Sequence, residues 1–175
     1  MKRLATLATI LMLTLACGND GPTEPSNPNT GPIVFTAPLS AANEVPPVTN
    51  AEANARGLAT ITMNVTRNPA TGAVTAGGTM DFSVQLTGFP NNSSAILAHV
   101  HRAVAGSIGP VVLDTGRTPV TPFSLPTGTG TLTVNAVAIT QALATEIAGN
   151  PAAFYFDVHS PINPEGVVRG QLGRQ

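Results

Sequence analysis

Hydrophobic positions recur at every second residue along much of the chain from residue 33 onward. Across Leu58–Thr66, Ala59, Ile61, Met63 and Val65 face one way, and Thr60, Thr62, Asn64 and Thr66 face the other. Met80 to Leu86 repeats the pattern, with Met80, Phe82, Val84 and Leu86 set against Asp81, Ser83 and Gln85. A period of two marks a strand with one buried face. The turn-rich stretch from Arg67 to Gly72 between these two runs predicts an antiparallel hairpin, extended by residues 73–77. Ile33–Ala37, Ile96–His101, Val111–Leu113, Val120–Leu125 and Thr131–Asn135 read as further short strands. Phe154–His159 and Val167–Leu172 predict a last hairpin across a turn containing two prolines. One segment departs from this period. Ile139, Leu143 and Ile147 fall at i, i+4 and i+8, which predicts a helix near 139–148 with Gly149 as its stop. The expected fold is therefore mainly β: an antiparallel sandwich or barrel of about eight strands with one short helix.

Composition agrees with that picture and removes several functions. The chain has 175 residues, with 17 Gly, 16 Pro and 10% charged residues, which suits short strands joined by turns. A net charge of -1 gives no basic footprint, so no nucleic-acid partner is expected. Lys2 is the only lysine, which leaves no Schiff-base or P-loop lysine in the body of the chain. The nucleophile-elbow, His-Glu-x-x-His and Cys-x-x-Cys patterns are absent as well, so no catalytic residue and no enzymatic activity is assigned.

The first seventeen residues have their own logic. Met1-Lys2-Arg3 is basic, Leu4 to Ala16 is largely apolar, and Ala16-Cys17-Gly18 ends on small residues. Residues 1–17 therefore read as an export signal, too short to span a bilayer. The sole cysteine, Cys17, sits at the expected cut. The segment resembles a bacterial lipoprotein signal, in which that cysteine carries the lipid, although Thr14 stands where the pattern prefers Leu. Simple secretion with cleavage near Ala16 is the other reading. The resemblance implies a membrane partner through the N-terminal lipid and a location in the cell envelope, with Gly18 pointing to the outer membrane. With one cysteine there is no internal disulfide. Residues 18–32 hold no apolar side chain before the first strand apart from prolines, and read as a disordered tether.

The candidate chemistry is carried by histidine. The chain has three, and His99 and His101 share one face of a strand by their i, i+2 spacing. His159 ends another strand, on the face that also carries Tyr155 and Asp157, while Arg169 and Gln171 take the matching face of the return strand. If the two regions are neighbours, one surface collects three imidazoles, a phenol, a carboxylate and a guanidinium. One reading is a mononuclear copper or zinc site using His99, His101 and His159. It is similar, at the level of a His-x-His strand on a β-sandwich, to the copper site of copper/zinc superoxide dismutase. That enzyme's two-metal site and disulfide need more histidines and cysteines than this chain has. The other reading is a structural polar network, in which Asp157 pairs with Arg169 or a histidine and Tyr155 and Gln171 complete the bonds. Glu44 reads as a turn carboxylate bonded to nearby amides, in preference to a ligand.

Five motifs together resemble the CHRD domain, named for its repeats in chordin and also found singly in exported bacterial proteins. They are Asn43-Glu-Val-Pro-Pro-Val48, Ala98-His-Val-His101, Gly109-Pro-Val-Val112, Tyr155-Phe-Asp-Val-His159, and Asn163-Pro-Glu-Gly166 with Arg169-Gly-Gln-Leu172. They appear in the family's order and define a domain over residues 33–173. Asp157 stands where the family usually has Asn, and Val167 where it usually has Glu. The resemblance implies an extracellular β-sandwich-like module and no established enzymatic activity. The leading expectation is thus a lipid-anchored, non-enzymatic binding or interaction module of the envelope, with the metal protein as the alternative.

Overall fold

The computed structural model describes residues 27–175. The expected signal, Cys17 and the larger part of the tether lie outside the described residues. Eleven strands form: β1 (Ile33–Ser40), β2 (Arg56–Arg67), β3 (Val74–Thr87), β4 (Ser93–Ala95), β5 (Leu97–Arg102), β6 (Val111–Asp114), β7 (Phe123–Leu125), β8 (Gly130–Ile139), β9 (Phe154–His159), β10 (Val168–Gln171) and β11 (Gly173–Arg174). Eight of them run in the order β6-β5-β9-β10-β1-β2-β3-β8, with β11 also pairing β1, and curl into a nearly closed antiparallel barrel. The excess over eight comes from the short ribbon β4–β7 and from β11. The long hairpin β2–β3 pairs as the alternation predicts, Ile61 opposite Phe82 and Met63 opposite Met80.

The barrel interior takes the alternating apolar residues. Phe35, Ile61, Met63, Met80, Phe82 and Phe156 are all fully buried, and the Phe82 and Phe156 rings stack across the interior at 5.5 Å. The helix α1 runs from Gln141 to Gly149. The helix starts later than the i, i+4, i+8 stripe predicts: Ile139 is the last residue of β8, and the Thr140 hydroxyl accepts from the Leu143 amide as N-cap. Gly149 is the last helical residue rather than the stop, and Asn150 caps the end. Ile147 is nonetheless buried, as the stripe required.

The last residues of the expected tether are held. Asn27 and Asn29 donate to the Pro69 carbonyl, and the Arg67 guanidinium donates to the carbonyls of Pro28 and Gly31. Residues 27–32 therefore fold as a turn on the β2–β3 hairpin. Tethering composition did not reveal this because the turn's bonds come from an arginine on β2, well along the chain.

Strand β9 differs from the others in burying all six of its residues. Its Phe154, Phe156 and Val158 enter the core. Its outer face is roofed by three loops: the strap 41–55, the loop 103–110 and the turn 160–167. That roofed outer face is where the histidines meet.

Candidate metal centre

Strand pairing builds the cluster. β5 lies antiparallel to β9, so His99 stands opposite Asp157, His101 opposite Tyr155 and Leu97 opposite His159. β10 flanks the other side, with Arg169 opposite Asp157 and Gln171 opposite Tyr155. Because facing residues of antiparallel neighbours share a sheet face, His99, His101, Asp157 and His159 converge. One ligand-capable atom from each lies within 4.8 Å of all the others. His99 Nδ1 is 3.1 Å from His159 Nε2, His159 Nε2 is 3.4 Å from Asp157 Oδ1, and His101 Nε2 is 3.1 Å from Asp157 Oδ2. Donors about 2.0–2.1 Å from a tetrahedral ion stand roughly 3.3 Å apart; these three pairs are near that spacing and the whole group lies within 4.8 Å, so the four residues could hold one ion.

The outer hydrogen bonds orient the rings. His101 Nδ1 lies 2.9 Å from the Gly109 carbonyl and His159 Nδ1 lies 2.8 Å from the Pro164 carbonyl. A carbonyl can only accept, so both Nδ1 atoms carry the hydrogen and each neutral ring presents its Nε2 lone pair to Asp157. His99 turns its Nε2 toward Asp114, at 3.9 Å, and its Nδ1 inward. Gly109 can deliver its carbonyl only as glycine: a Cβ there would stand 2.0 Å from the Arg102 carbonyl oxygen.

This geometry leaves polar atoms unsatisfied. With neutral rings, His101 Nε2 and Asp157 Oδ1 are buried without a hydrogen-bond partner, and only protonation of His101 would make its 3.1 Å contact with Asp157 Oδ2 a hydrogen bond. Lone pairs aimed at a buried carboxylate are costly unless a proton or a cation lies between them. In the absence of a cation the protons shift. Burial opposes charge on His101 and His159, but the adjacent Asp157 carboxylate outweighs it and raises both pKa values. Burial likewise pushes Asp157 up, yet the two histidines beside it bring its pKa below the ordinary value. His99 moves the other way: burial, with the neighbouring His159, lowers its pKa and keeps the ring neutral.

The remaining expected residues divide. Tyr155 belongs to the site as a platform: His101 stacks on its ring at 4.7 Å, and the Arg169 guanidinium sits 3.6 Å from its centroid. Burial raises the phenol's pKa. Arg169 does not pair with Asp157. It donates to the Ser107 carbonyl instead, because Tyr155 is the diagonal neighbour its side chain reaches. Gln171 is outside the cluster; its amide donates to the carbonyls of Ala103, Ala152 and Phe154 and ties the loop 103–110 to the start of β9. Val167, just before β10, is fully buried.

Two further carboxylates shape the site, Glu44 in a role other than the expected one and Glu52 unforeseen. Glu44 is not bonded to backbone amides. It lines a cavity of ≈ 280 Å³ together with the four clustered residues, and its Oε1 is buried without a partner. Burial, reinforced by Asp157, lifts its pKa to about 7. Glu52 is fully buried and accepts from the Ser93 hydroxyl, the Ser160 hydroxyl and the Asn163 amide. It thereby anchors the turn that carries the Pro164 carbonyl. Its nearest signal in the sequence is weak, since these partners lie 41 to 111 residues away.

A family model of the CHRD domain matches residues 35–172. No curated protein and no solved structure matches the chain.

Proposed function

Because the chain belongs to the CHRD-domain family through residues 35–172, we propose that it is a non-enzymatic binding module whose ligand is a single divalent transition-metal ion. Zinc or copper would be held by His99, His101, His159 and Asp157. The observation that carries this reading is the orientation of the rings: carbonyls fix two Nδ1 hydrogens outward, and the Nε2 lone pairs meet at a buried carboxylate. Metal-binding histidines are typically held in this way, by a second bond that sets the tautomer. A donor set of three imidazoles and a carboxylate, without sulfur, suits Zn²⁺ and Cu²⁺. A hydrogen-bonded network is the competing account, in which protonated His101 and His159 donate to Asp157 in place of an ion.

Metal analysis and calorimetric titration of the protein test the reading. One zinc or copper ion per chain, removed by a chelator, is the expected result; a chain that takes up neither ion refutes it.

The module is held to the cell envelope by lipid on Cys17, in the same proposal. A Cys17→Ser variant is expected to leave the membrane fraction and appear as soluble exported protein. Retention of that variant on membranes would refute the anchor.

A further inference from the structure

Glu44 is a second, unassigned part of the centre. Its side chain is 8% exposed, and Oε1 has no hydrogen-bond partner. A buried carboxylate without a partner costs several kcal/mol on the order expected for an uncompensated charge, so the fold needs a reason to place it there. The available cation does not supply one. Arg169 lines the same cavity, but among the described residues no ion pair joins it to Glu44; it stacks on Tyr155 and donates to Ser107. Nor is Glu44 loosely placed. Its carboxylate packs against the turn 160–167 at Gly166, where a Cβ would come within 2.8 Å of Oε1. Gly166 also has a φ of +137°, a conformation that disfavours any side chain. The chain thus keeps an opening for this carboxylate beside the turn that orients His159.

We infer that Glu44 is the outer carboxylate of the centre, facing a bound divalent ion across the cavity and stabilising its charge without ligating it. This rests on the metal reading above. The four ligands bring one negative charge from Asp157 against two positive charges on the ion, and an ionised Glu44 offsets the remaining one across the cavity. It acts through the field it sets up, and so is a positioning residue rather than a ligand.

Zinc titration of the protein and its Glu44→Gln variant at pH 8, with melting curves of the metal-free forms, tests the inference. Glu44→Gln is expected to bind zinc about tenfold more weakly, in line with the loss of an outer-shell partner. Its metal-free form is expected to melt at or above the parent temperature, because an unpartnered buried charge has been removed. Glu44→Asp, which keeps the charge, should retain most of the affinity. Equal zinc affinity in parent and Glu44→Gln overturns the inference while leaving the metal centre intact. So does a metal-free Glu44→Gln protein that melts well below the parent, since the residue would then be structural. A parent protein that binds no zinc removes the metal reading itself.

Discussion

Zinc at about a thousandfold excess over its dissociation constant is expected to raise the melting temperature by about 8–16 °C. An ion that binds only the folded chain stabilises it by roughly 4 kcal/mol at that excess. A chain of this size shifts by about 2–4 °C per kcal/mol. His101→Ala should lose nearly all of this shift. It removes the ring whose Nδ1 is fixed by Gly109 and whose Nε2 has no other partner. An unchanged zinc response in His101→Ala would rule the residue out as a ligand.

The same melts carry a pH signature. In the metal-free protein the raised pKa values of His101 and His159 contribute stability that is full below about 6.5 and is lost as pH rises through the raised values. Glu44, raised to about 7, has the same sign: its folded form holds a proton that the unfolded chain has released. The lowered pKa of Asp157 contributes stability that is lost only as pH falls through that value, so it is constant across this window. His99, with its lowered pKa, opposes the trend. The metal-free protein should therefore melt lower at pH 8 than at pH 6. Zinc competes with protons for the imidazoles, so the gain on adding zinc should grow over the same interval. Parallel pH profiles with and without zinc would contradict a centre built on these rings.

The second large effect is expected from a residue that touches no ion. Glu52→Ala should destabilise the protein by about 3–5 kcal/mol, since two hydroxyls and an amide lose one buried acceptor group, each at about 1–1.7 kcal/mol, the low end of the usual cost of an unsatisfied buried group. The melting temperature should fall by about 6–20 °C on the same scale. Zinc affinity in the surviving folded fraction should fall about tenfold, because the turn presenting the Pro164 carbonyl to His159 loosens. Glu52→Gln, which keeps an acceptor and the volume, should be milder on both counts. A fully stable Glu52→Ala protein would show that water satisfies the pocket.

The contrast between these residues explains what could be read in advance. Period-two alternation predicted that Tyr155, Asp157 and His159 share a face and that His99 and His101 share another, and strand pairing then made the two faces one. Alternation says nothing of what lies above a face. Glu44, Glu52 and the carbonyls of Gly109 and Pro164 sit on loops, where no period operates and partners come from distant segments. Arg169 and Asp157 share a face, which allowed a pair between them among other bonds, yet the long Arg169 side chain reaches its diagonal neighbour Tyr155 instead. Ile139 fitted the helical stripe because residue i of a stripe and the last inward residue of a strand look alike when the strand runs directly into the helix.

The pairing of β11 with β1 has a spatial consequence. Gln175 donates to the Val34 carbonyl and Arg174 stands opposite Phe35, so both ends of the domain leave it at one place. From there β1 runs eight residues, about 26 Å of strand, to Ser40 and the strap bearing Glu44. The histidine cavity, built on strands that pair beside Ser40 through Arg169 and Asp157, lies toward the end of β1 away from that place.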